Sequence, residues 1–108
     1  MVDIGSTKIK NLGETHVEKW LTENGYTSLF RENLQMENTG LMANGKIENI
    51  IVQISTFLLP HRPFKISEYE ADRLIRRAKK LARIAYAAYV VVDEHGNLDG
   101  EIIWERLS

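Results

Sequence analysis

Apolar positions recur along this chain in two rhythms, and the switches between them mark out its elements. Leu12, Val17, Trp20 and Leu21 repeat at the spacing of one helical face. Asn11 stands before them as an N-cap with Glu14 at the third helical position, a capping-box variant, and Asn24-Gly25 supplies a stop. The spacing predicts a helix over 12–24. Residues 1–10 are polar and without period, and read as a flexible arm ahead of a single domain over 11–108.

The rhythm then changes to that of strands. Tyr26 to about Met36 and Leu41 to Ala43 are bounded by Asn38-Thr39-Gly40 and by Asn44-Gly45, a hairpin signal because both residues tolerate positive φ. Beyond the turn, Ile50, Ile51, Val52 and Ile54 form a β-branched run of the kind that fills a central strand covered on both faces. Strand alternation puts Asn49, Ile51, Gln53 and Ser55 on one face and Ile50, Val52 and Ile54 on the other. Pro60-His61-Arg62-Pro63 reads as a loop. Ser67-Glu68-Tyr69-Glu70 is a capping box opening a helix to about Ile84. Tyr86–Val92 and Leu98–Leu107, separated by the turn Asp93–Asn97, read as two further strands. The expected fold is α/β: a mixed sheet flanked by two helices in the order α-β-β-β-α-β-β.

The second helix has two unlike faces. At 100° per residue, Ala71, Leu74, Ile75, Ala78, Leu81, Ala82 and Ala85 fall in one stripe, and the small alanines suit close approach to a sheet. Arg73, Arg76, Arg77, Lys80 and Arg83 fall on the opposite side. Several cations on one rigid helix can neutralise successive phosphates, which makes Arg73, Arg76, Arg77 and Lys80 candidate nucleic-acid contacts. Two other readings stand beside it. One is a solvated face balanced by Glu68, Glu70 and Asp72, with late cations complementing the helix dipole; the other is contact with a partner protein.

Composition narrows the chemistry. With 108 residues, 44% of them hydrophobic, the chain holds one core and not two. Fourteen basic against fifteen acidic residues leave it near neutral, so any basic surface must come from segregation of charge. The absence of cysteine excludes disulfides, thiolate metal sites and cysteine nucleophiles. No apolar run approaches the ~18 residues of a membrane span, and the N-terminus lacks a signal core. A cytoplasmic protein without a membrane partner is the expectation. His16, His61 and His95 are scattered, and no G-x-S-x-G elbow, G-x-G-x-x-G or phosphate-binding Walker sequence is present. Trp20 and Trp104 are expected in the core. The apolar connection Phe57–Phe64 invites burial under the second helix or a subunit contact, hence a homodimer.

Gly13-Glu14, Trp20-Leu21 and Asn24-Gly25-Tyr26, then the Asn44-Gly45 hairpin and Ile50–Thr56, resemble the core of the PD-(D/E)xK nuclease superfamily. The nearest branches are its YraN-like and Mrr-like members, and the resemblance covers roughly residues 11–107. It implies a restriction-endonuclease-like fold. It also implies a site in which an Asp and a Glu or Gln hold divalent ions against the scissile phosphate while a Lys two residues on orients water. Carried over position by position, the acid of the opening helix is Glu14, the second acid is Gln53, as in the Mrr-like branch, and the Lys position is Ser55. Gly40 stands where the Asp belongs. The motif is therefore degenerate, with Glu14, Gln53 and Ser55 as vestigial catalytic positions and Glu14 and Gln53 as a weak metal pair. The implied function is a catalytically degenerate nuclease-fold protein, without cofactor, that binds nucleic acid or serves assembly. Two alternatives remain open. One is an active Mg²⁺- or Mn²⁺-dependent phosphodiesterase with a displaced acid (Glu37 or Glu48) and a substitute cation (Lys79 or Lys80). The other is a homo-oligomeric interaction adaptor.

Overall fold

The computed structural model describes residues 5–33 and 39–108. Its elements are α1 (Ser6–Glu23), β1 (Thr27–Asn33), β2 (Thr39–Asn44), β3 (Asn49–Leu58), α2 (Glu68–Lys80), β4 (Ile84–Val92) and β5 (Ile103–Arg106), in the expected α-β-β-β-α-β-β order. The strands form one five-stranded mixed sheet, ordered β1-β2-β3-β4-β5. β3 and β4 run parallel and every other pair antiparallel. A parallel pair needs a crossover, and α2 provides it, so the two central strands are covered on both faces. Among the described residues no helix is long and apolar enough to cross a membrane.

β3 shows the alternation expected of it. Ile50, Val52 and Ile54 lie with Leu41, Ala43, Ala88, Val90 and Val92 under Val17 and Leu21 of α1. Ile51 lies on the other face with Ala85, under Leu74 and Ala78 of α2. α1 approaches the sheet closely at Gly13, where an added Cβ would stand 1.8 Å from Thr56 Oγ1. That glycine is thus an interior contact point of the helix, not part of a cap.

Helix boundaries are the main corrections. α1 begins at Ser6, with extended Gly5 as its N-cap and no side-chain cap, so part of the expected arm is helical. Asn11 is inside the helix, where its carbonyl accepts from Thr15 Oγ1 at 2.8 Å. The apolar stripe starts earlier than Leu12, at half-buried Ile9, and packing of that stripe rather than a capping sequence sets the start. At the other helix, Ser67 does cap: Glu70 N–H donates to its Oγ at 3.1 Å. α2 stops at Lys80 because Ala82 turns left-handed at φ 55. Ala82 N–H then donates to Lys79 O and Arg83 N–H to Ala78 O, at 3.2 and 2.8 Å, a Schellman closure made without its usual glycine. The last strand is also shorter than expected: Val92↔Leu98 is a single bridge, and β5 proper spans Ile103–Arg106.

Candidate functional site

The positions that the nuclease resemblance singles out fall into two groups, and the sheet stands between them. Gly40 and Gln53 are register partners on β2 and β3, so they share a face, and Ser55 follows on that face opposite Tyr89 of β4. This is the α2 side. Gln53 is 4% exposed, and a buried amide needs partners. Its Nε2 donates to Glu70 Oε2 at 2.8 Å, and Glu70 Oε1 accepts from Ser67 Oγ at 3.2 Å. The capping box that opens α2 therefore also satisfies the buried amide of β3.

Beside half-buried Ser55, Tyr89 donates its hydroxyl proton to Glu105 Oε1 at 2.9 Å and accepts from Ile66 N–H at 3.3 Å. Lys65 Nζ reaches Glu105 Oε2 at 2.9 Å. Burial, and then the Glu105 bond, raise the Tyr89 phenol. The hydrogen bonds from Lys65 and Tyr89 hold the Glu105 carboxyl below the ordinary glutamate value. The result is a polar strip along the α2 face, Gln53–Glu70–Ser67 and Tyr89–Glu105–Lys65. Of these residues, Gln53, Ser67 and Glu70 carried a sequence signal.

Glu14 lies on the other side. It is 6% exposed on α1 and its Oε2 pairs with Arg31 NH1 of β1 at 2.8 Å. Arg31 is the register partner of Leu41, a residue of the α1-side core. The same guanidinium donates through Nε to Glu18 Oε2 at 2.8 Å. One arginine thus bridges carboxylates at i and i+4 of α1, and its charge accounts for a buried Glu14 without any metal. The Glu18 hydrogen bond raises Arg31 further, so it stays cationic.

Glu14 and Gln53 thus lie toward opposite faces of the sheet, each with its own partner, Arg31 and Glu70. Of the displaced acids, Glu48 Oε1 accepts from Tyr86 O–H at 2.7 Å, and Tyr86 packs on the α1-side core. Glu37 lies outside the described residues. Lys79 and Lys80 sit nine and ten residues past Glu70, about 13–15 Å along the axis of α2. Among the described residues no group of three or more His, Asp or Glu side chains is placed to hold a metal ion.

The cation-rich side of α2 is arranged as the helical period requires. Leu74 and Ala78 are buried, and Arg73, Arg76, Arg77 and Lys80 lie on the opposite flank, with Arg76, Arg77 and Lys80 exposed. Tyr69 shares that flank at 63% exposure, and the Arg73 guanidinium carbon lies 5.7 Å from its ring centroid, a cation–π contact. Arg83 does not belong to this face. It follows the left-handed residue, and its guanidinium donates to Ala43 O and Ile50 O at 3.1 and 3.2 Å, tying the β2–β3 hairpin to the start of β4. Tyr69 is the residue of this surface that charge counting passed over; its place four before Arg73 was the available signal.

The expected core tryptophans are only partly in the core. Trp20 and Trp104 contact each other at 4.8 Å between centroids, at the rim of the α1 side. Phe57 packs edge-on to Phe64 at 5.1 Å, while Phe64 is 74% exposed, so the apolar loop is not buried under α2. The sequence matches no protein-family model, and a search of curated proteins finds no relative.

Proposed function

We propose that this chain is a non-catalytic nucleic-acid-binding module that takes the phosphate backbone along the outer face of α2. The observation that carries the reading is the single ridge of Tyr69, Arg73, Arg76, Arg77 and Lys80, set opposite a buried apolar stripe. From Tyr69 to Lys80 it runs about 16 Å, room for two to four successive phosphates. An exposed tyrosine among the cations offers a ring on which a base can stack, the pairing of features that suits a single strand. The separation of Glu14 from Gln53 by the sheet supports binding without cleavage. A near-neutral chain agrees with a local, not global, electrostatic footprint.

Fluorescence anisotropy with a labelled single-stranded oligonucleotide tests the reading. At about 0.7 ions released per phosphate, three or four contacts give a slope of roughly −2 to −3 in log affinity against log salt. Arg76→Glu with Lys80→Glu is expected to weaken binding by at least about tenfold and to flatten that slope, with circular dichroism unchanged. Tyr69→Ala is expected to weaken single strands by more than duplexes. Unaltered affinity in the double variant overturns the proposal. Mn²⁺-dependent cleavage that disappears in Gln53→Ala overturns its non-catalytic half.

A second reading has its own observation. Ile103 is 53% exposed on β5, one of the two edge strands of the sheet, and exposed Phe64 shares a recess with it. A second copy docking there would cover both. Sedimentation velocity separates this homodimer from a monomeric binding module.

A further inference from the structure

β1 carries an irregularity that decides which of its side chains meet solvent. Thr27 pairs with Asn44 and Phe30 with Met42, so Ser28 and Leu29 together stand opposite Ala43 alone. Ser28 takes the left-handed region at φ 55, and the strand gains one residue there, a β-bulge. A shift of one residue sends every later side chain to the other face. Continued from Thr27 without the bulge, the register would set Phe30 against Leu41, in the core under α1, and turn Arg31 to the α2 side. With it, Arg31 reaches buried Glu14, and Phe30 stands on the α2 face at 58% exposure. A guanidinium is turned inward and a phenyl ring outward, the reverse of what burial favours.

Phe30 belongs to the row Phe30–Met42–Ile51–Ala85, and α2 covers its inner end with Leu74 and Ala78. Two strand spacings, about 10 Å, separate Phe30 from Ile51. The flank of α2 that reaches β3 through the Glu70–Gln53 hydrogen bond also carries Arg73 and Arg77, three and seven residues on. β2 and β1 follow β3 outward on that side. The cationic ridge and the exposed ring thus border one strip of sheet, with half-buried Met42 between them.

We propose that Phe30 is a base-stacking platform for a single-stranded nucleic acid whose phosphates the α2 ridge takes, the strand lying over the β1–β2 flank of the sheet. The proposal rests on the nucleic-acid reading of that ridge and extends it to a second element. Charge selects the occupant. A second copy docked here about a two-fold axis would bring the cationic flank against itself. An apolar peptide would use the ring and leave the arginines idle. A single strand offers phosphates to the cations and π-faces to the ring, whereas a duplex keeps its bases stacked on one another.

The full chain is titrated by fluorescence anisotropy against a labelled oligothymidylate and a labelled DNA duplex. Phe30→Ala is expected to weaken the single strand about tenfold, the scale of one stacked base, and to leave the duplex unchanged. Its salt slope is expected to stay as it was, because no charge is removed. Phe30→Leu keeps apolar area without a π-face and is expected to lose nearly as much, while Phe30→Tyr restores binding. Phe30→Trp supplies a second readout. Trp20 and Trp104 meet on the α1 side, so the added indole is the one expected to be quenched by oligothymidylate. Unaltered affinity in Phe30→Ala, with Arg76→Glu/Lys80→Glu still weakened, overturns the platform and leaves the ridge standing. No binding by the unaltered chain removes the ridge reading and the platform with it. Full affinity in Phe30→Leu overturns the stacking role. So does a loss of self-association in Phe30→Ala, by sedimentation velocity, with oligothymidylate affinity unchanged.

Discussion

The two faces of this sheet receive equally alternating strands and are finished in opposite ways. On the α1 face an 18-residue helix lays Val17 and Leu21 over eight buried residues of β2, β3 and β4, and its buried charge is locked by one arginine. On the α2 face a 13-residue helix covers the middle only, over Ile51 and Ala85. Phe30, the register partner of Met42 on one flank, and Ile103, the partner of Tyr89 on the other, are left 58% and 53% exposed. Between them runs the polar strip from Gln53 to Lys65. Strand alternation only offers two faces. Helix length and placement decide which becomes a closed core and which keeps polar groups and open surface for interactions.

Breaking the arginine bridge gives the largest effect and tests the closed face. Arg31→Met leaves the Glu14 carboxylate buried without its partner, and is expected to cost about 2–3 kcal/mol in urea denaturation, below the value for a wholly buried pair because Arg31 is partly exposed. The matching change on the open face is Gln53→Met, of similar volume. It removes an amide whose partner Glu70 keeps its Ser67 bond, and about 1 kcal/mol or less is expected. If the second change costs as much as the first, the contrast between the faces fails.

The smallest effect sharpens the comparison through pH. Glu105 titrates below the ordinary glutamate value in the folded state because Lys65 and Tyr89 donate to it. Its contribution is therefore present above the unfolded glutamate pKa and is lost as pH falls through the depressed folded value. Glu105→Gln is expected to lower the melting temperature slightly at neutral pH and to flatten its acid-side dependence. Arg31→Met is expected to keep that acid-side slope from Glu105. An unchanged acid-side slope in Glu105→Gln removes the Lys65–Glu105–Tyr89 strip as a contributor to stability.

Particular residues show where the sequence is legible. The order of elements, the faces of β3 and the cap at Ser67 all follow from local signals: period, β-branching and side chains that bond backbone a few residues away. The ends of the helices do not. Asn11-Leu12-Gly13-Glu14 has the pattern of a cap, but Gly13 is there because Thr56, forty-three residues on, comes too close for a side chain. Ala82 ends α2 in a conformation that its own chemistry disfavours, held by the bonds to Lys79 and Ala78. The candidate site divides in the same way. The α2 cations could be placed on one flank from spacing alone, whereas the partners of Gln53 and Glu14 could not.

The sequence by itself determined the α/β class, the succession of seven elements, and which residues of β3 share a face, because these depend on neighbours two to four positions apart. Only the tertiary structure decided that Glu14 belongs to Arg31 and Gln53 to Glu70, on opposite sides of the sheet. The same holds for the meeting of Trp20 and Trp104, eighty-four residues apart, around a recess. Which helix covers which face is a property of chain crossover and close packing, and no local period along the chain encodes it.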